Sequence, residues 1–157
     1  MRRSPLRKIS ARKRSQSLAW ERLRDETFER CENHCDLCGF PLEADWFDAH
    51  HRKARSQGGQ DATTNLVALH RACHKWVHEN PAKATVVGFI CPSWANPSIW
   101  PVRVHGDMYM RPIGTRWVPS DPALEQRLGV AREHEHDRDC TCEADGPEHI
   151  TRRRRHG

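Results

Sequence analysis

Apolar positions first fall into register between Ser17 and Cys31, where SLAWERLRDETFERC sets Leu18, Trp20, Leu23, Thr27 and Phe28 close to a 3.6-residue period. That spacing predicts an amphipathic helix capped by Ser17, with a Trp/Leu/Phe face packed on the rest of the domain. Its charged face, with Arg22, Arg24 and Arg30, is expected to be solvated surface. The period then changes. Trp46 to His51 is short and mixed, as a strand ending at His50-His51 would be, and Arg52 to Thr64 reads as a loop with Gly58-Gly59 at its tip. Asn65-Leu-Val-Ala-Leu-His70 predicts a second strand and Arg71 to Glu79 a short helix. Asn80 is placed to cap a further helix with Pro81 at its first position, ending at Gly88. Beyond it, Phe89 to Cys91 and Pro101 to His105 read as short strands. Met108 to Val118 would pair with them as a hairpin around Gly106-Asp107 or Gly114-Thr115. Trp94, Trp100 and Trp117 are expected to fill the core rather than stack on bases. The chain is thus α+β.

Composition narrows what such elements can build. Only 36% of the 157 residues are apolar and the mean hydropathy is −0.88, so one domain with a small core is expected. A small core needs a staple, and seven cysteines and eleven histidines can supply one. No apolar run approaches membrane-spanning length and no signal peptide is read. The expected setting is therefore a reducing cytoplasm, and paired cysteines there read as metal ligands.

The formal charge of +5 and pI near 9.0 favour an anionic partner such as nucleic acid. Met1 to Arg14 carries seven Lys/Arg and no acid, Pro119 to His149 carries nine acids against three Arg, and Arg152 to Arg155 form a last basic run. Blocks of like charge stay solvated. The expected organisation is a basic disordered arm over 1–16, a folded domain over 17–118 with its core at 35–88, and an acidic then basic disordered tail over 119–157. One short helix is expected near Ala123 to Leu128.

Two sets of metal-binding side chains interleave in the core. Cys35-Asp-Leu-Cys38-Gly39 is a Cys-x2-Cys turn, and His70-Arg-Ala-Cys73 repeats the two-residue gap. Together they make a tetrahedral Cys3His set suited to a structural zinc. Cys31 is the competing fourth ligand, less favoured because it falls within a helical pattern. Cys91, Cys140 and Cys142 read as spare thiols. The second set is His50, His74 and His78. Imidazoles at i and i+4 share a helix face, and His50 arrives from the strand end.

A three-histidine site with open positions suits a divalent ion that must also meet a substrate. Next to it, His51 can accept a proton from water near neutral pH, the requirement for attacking an anionic phosphodiester. Asn65 can tether the loop or orient the base through its amide. Arg52, Lys53 and Arg55 are candidates for gripping flanking phosphates.

With those residues in view, the chain resembles HNH endonucleases of the ββα-metal (His-Me finger) type. His50-His51, Asn65 and His74 with His78 follow the His-Asn-His order. HHRKARSQGG is similar to a stretch of colicin-type DNases, and NLVALHRACHKWVH resembles the ending of zinc-containing HNH proteins. The resemblance covers about Cys35 to Gly88. It implies a hydrolase that cuts DNA phosphodiester bonds, with His51 as general base and His50 and His74 as ligands of one divalent metal. His78 is a further ligand or a phosphate contact. Asn65 keeps the His51 region in shape, and Asp48 takes an acidic supporting position. His50 stands where many members carry Asp, which makes Zn, Ni or Mn plausible beside Mg. Stand-alone proteins of this type are common in bacteriophages, so a phage-encoded enzyme of low intrinsic sequence specificity is implied. The rivals are a zinc-stabilised DNA-binding module and a phage packaging accessory working within a terminase complex.

Overall fold

The structure, a computed structural model, describes residues 10–105 and 108–121. The expected short helix near Ala123, Cys140, Cys142 and the terminal basic run lie outside the described residues, as does most of the basic arm.

The first helix, α1 (Ala11–Arg30), is longer than the periodicity predicts. Its cap is Ser10, whose hydroxyl accepts from the Lys13 amide, and not Ser17, which instead bonds Glu21 one turn on. The Arg, Lys and Gln between them are good helix formers, so the helix runs back into the segment expected to be a disordered arm. It ends where Glu32 and Asn33 adopt positive φ.

Two more expectations fail on α1. Leu18 stays exposed, while Arg24 and Arg30 leave the solvated face. Arg24 donates to Phe47 O across the Phe47 ring, and Arg30 is buried, donating to Thr63 O and Leu66 O beneath the Trp117 ring. A guanidinium has five donors, so it can be buried where loop carbonyls need partners.

Strands β1 (Asp48–His51) and β2 (Leu66–Leu69) pair antiparallel, with His51 opposite Leu66 and Asp48 opposite Leu69. All four β2 residues are buried because α1 and α2 (Arg71–Glu79) both pack against the strand. This explains its unbroken LVAL run, since a strand covered on both sides does not alternate. Burial of such side chains contributes roughly 1.5–3 kcal/mol each. The Cys35–Cys38 turn docks on the same strand through Asp36. Its amide donates to Ala68 O, and its carboxylate accepts from Ala68 N and from Trp117 Nε1. Burial pushes that carboxyl up to about 6 against the opposing pull of Arg30.

After α2 a short helix, α3 (Pro81–Val86), starts with proline at its first position, although the Asn80 side chain bonds back to Trp76 O and makes no cap. Gly88 follows at φ +81°, and a Cβ there would lie 2.1 Å from Pro101 O, so only glycine fits. Phe89 to Cys91 is irregular. The C-terminal part is a meander of β3 (Val102–Val104), β4 (Met108–Ile113) and β5 (Arg116–Pro119). Trp117 packs on the main core and Trp100 is buried in a small cluster with Cys91 and Ala95. Trp94 fills no core, being 72% exposed.

Candidate active site and metal centres

Strand, loop, strand and helix gather the ligands into two separate clusters. Cys35, Cys38, His70 and Cys73 have their ligand atoms within 4.8 Å of one another, and so do His50, His74 and His78. Cys73 and His74 are adjacent yet belong to different clusters, because neighbouring positions on a helix point about 100° apart.

In the first cluster, His70 directs Nδ1 at Cys38 Sγ (3.4 Å) and its Nε2 is held by Pro41 O (3.0 Å). Thiols of Cys35 and Cys73 bond to the Cys38 sulfur and pull its pKa well below the usual thiol range, while Cys73 is pushed up in return. Three sulfurs and one imidazole nitrogen that close make a site whose free form stabilises a thiolate, the species that binds zinc. Cys31 is not among them. Its thiol donates to Phe28 O, and burial pushes it up to about 12.

The second cluster is built on ring-to-ring approach. The His50, His74 and His78 centroids lie 4.7–5.3 Å apart, and the Nε2 atoms of His74 and His78 are 3.0 Å apart. His50 is buried, and that burial, with His74 and His78 beside it, pulls its pKa down to about 3. It is therefore a neutral imidazole, ready to coordinate. Its Nε2 is engaged by Phe89 O (3.2 Å). Asp48 grips His74 Nδ1 (3.0 Å) with one oxygen and Arg71 (3.2 Å) with the other. It therefore orients an imidazole of this cluster and does not face His51.

His51 follows His50 on β1 and points to the other face. Its Nε2 meets Asp61 Oδ1 at 2.8 Å, and its ring stacks on Trp20 of α1 at 5.4 Å and 10°. Asp61 also accepts from Arg55 at 2.8 Å, and Arg55 lies over the Trp20 ring. Slight burial raises the Asp61 carboxyl, but the bonds from His51 and Arg55 outweigh it and hold the group below the usual carboxylate range. Neither Asp61 nor Trp20 carries a recognisable sequence signal for this role. Asp61 sits ten residues from His51 in a polar loop, and Trp20 reads as one more apolar helix position.

Asn65 is buried at the end of that loop. Its Oδ1 accepts from Lys53 N, and its Nδ2 donates to Lys53 O and Gln60 O. The loop closes so tightly that a Cβ on Gly59 would fall 1.9 Å from Lys53 O. Of the three residues expected to grip phosphate, Arg52 is displaced from that role. It is 1% exposed, and its guanidinium donates to the carbonyls of Gly88, Pro97, Trp100 and Pro101. Lys53 is half-buried, with Nζ on Ala95 O. Arg55 alone of the three is exposed.

A two-stranded finger followed by a helix, with one cluster of histidines and one cysteine-rich cluster, is the arrangement of the ββα-metal class. Residues 35–80 match the family model described as HNH endonuclease, a segment running from the first knuckle cysteine to the end of α2. The chain therefore contains an HNH endonuclease domain, which supports nuclease activity in general and DNA as its substrate. No curated protein and no solved structure matches the chain. Among the described residues no helix is long and apolar enough to cross a membrane.

Proposed function

We propose that the protein is a metal-dependent DNA endonuclease in which His51 is the general base. The observation that carries this reading is the contrast between the adjacent histidines. His50 is turned into a buried imidazole cluster, whereas His51 is turned out and paired with a carboxylate. Donation of Nε2–H to Asp61 leaves Nδ1 with a free lone pair, so the ring can take a proton from an attacking water.

His50, His74 and His78 would hold one divalent ion, Mg, Mn, Ni or Zn. Three neutral nitrogen donors around one point fit such an ion, and the all-nitrogen set favours the transition metals over Mg. When bound, the ion supplies positive charge against the phosphate and the leaving oxygen. Asp48 fixes the orientation of His74 for that task. Asn65 keeps the loop after His51 closed, and Arg55, exposed and joined to the base through Asp61, is suited to a flanking phosphate. Cys35, Cys38, His70 and Cys73 would hold a structural zinc. The folded unit extends from α1 through the meander, with the acidic segment beyond it as a region for a protein partner. Low intrinsic sequence specificity is part of the proposal, since a phosphate contact by Arg55 carries no sequence information. A phage-encoded protein is part of the same proposal, supported by the resemblance of the Cys35 to Gly88 segment to HNH proteins of that kind.

Plasmid DNA incubated with the zinc-loaded protein and added Mg, Mn, Ni or Zn tests the reading. The expected result is nicking or cutting that falls by about 10²-fold or more in His51→Ala, the scale of a lost general base. A wild-type protein inert with every metal, indistinguishable from His51→Ala, would sink it. DNA binding that persists without cutting would then favour a zinc-stabilised binding module.

A further inference from the structure

Trp94 stands on the surface, 72% exposed, yet it is fixed in place from below. Its indole meets the buried Trp100 edge-on, with centroids 5.3 Å apart and planes at 90°. The loop that carries it is fastened to the two residues after His51. Arg52 donates to Pro97 O at 3.1 Å, and Lys53 donates from Nζ to Ala95 O, also at 3.1 Å. An exposed indole normally loses rotamer freedom when it binds a partner, but this one is already held.

Trp94 lines an open cavity of about 500 Å³. Gln60, Asn96 and Ser98 also line it, together with Lys53 and Asn65. Gln60 and Ala62 face the cavity, while Asp61 between them reaches His51. The cavity and the base thus share a single wall, the 60–62 segment. An aromatic face beside polar side chains is what an unstacked nucleobase requires, and Lys53, tied to Ala95 O, serves to hold the wall in place.

We propose that this cavity is a nucleobase subsite, in which a base of the DNA strand at His51 leaves its stack and lies on Trp94. The inference rests on the nuclease reading only for the identity of the strand. Stacking depends on the π-face that every base has, so the subsite grips the strand without selecting a sequence, and the polar rim adds at most a modest preference.

Binding, not cutting, tests it. The zinc-loaded His51→Ala protein is titrated with a single-stranded DNA of about twelve nucleotides carrying 2-aminopurine at its centre, and with a matched strand whose central sugars are abasic. Quenching of 2-aminopurine is expected. Adding Trp94→Ala should weaken the base-bearing strand about tenfold and leave the abasic strand unchanged, whereas Trp94→Phe should keep most of the affinity. Because the side chain is exposed, the melting temperature should not move. Equal affinity with and without Trp94, an equal loss on both strands, or absence of quenching would overturn the subsite. Failure of the nuclease reading shows separately, as uncut plasmid with the wild-type protein.

Discussion

His51 works between two unlike neighbours, the Asp61 carboxylate on one nitrogen and the Trp20 indole along its face. The carboxylate fixes the tautomer and the indole fixes the plane. Asp61→Ala is therefore expected to lower plasmid cutting by about 10-fold, at the low end for the loss of a residue that positions another. Asp61→Asn, which still offers an acceptor oxygen, should recover part of that loss. Equal activity in all three proteins would show that the pairing is incidental. Arg52 makes the opposite case at the same scale. Four carbonyls lose their donor in Arg52→Ala, so stability should fall by about 3 kcal/mol or more, read as a lower denaturation midpoint. If the variant instead kept its midpoint and bound DNA more weakly, the arginine would be a phosphate contact after all. Sequence could not separate these two arginines. Arg52 and Arg55 share one short basic run, and only the position of the 88–101 segment buries the first.

At the scale of elements, the knuckle is the anchor. It ties the end of α1, β2, the start of α2 and β5 together through Cys35, Asp36, Cys38, His70 and Cys73. Cys35→Ser should unfold the finger, because structural zinc supplies folding energy directly. The check is loss of one tightly bound zinc together with loss of the cooperative melt, and a variant that melted normally without zinc would refute it. The finger itself was legible. Both strands, both short helices, the glycine turn and the clustering of the two histidine and cysteine sets follow from spacing and turn chemistry in CDLCG, HHRKARSQGG and NLVALHRACHKWVH. The elements around it were not. The start of α1 depends on a cap at Ser10 that no apolar period marks. Phe89 to Cys91 forgoes a strand because its buried backbone serves Arg52 and His50 through Cys91 N and Phe89 O.

For the molecule as a whole, a low apolar content is offset in two ways. One is the ligand-rich knuckle; the other is a set of buried guanidiniums, Arg30 and Arg52, whose donors satisfy carbonyls that a larger core would place in regular structure. Arg52 also fastens the 94–98 loop, through Pro97 O, to the end of the strand that carries His51, so one residue serves both stability and the shape of the surface beside His51. What the sequence determined by itself is the local chemistry: ligand type and spacing, the closed loop from His51 to Asn65, and the α+β finger that presents them, all set by short-range geometry. What only the tertiary structure decided is which charges and aromatics meet across long gaps. Asp61 reaches His51, Trp20 stacks on it, Arg52 turns inward and Trp94 outward. Each depends on burial against elements far along the chain, and burial is not encoded in the residue's own neighbours.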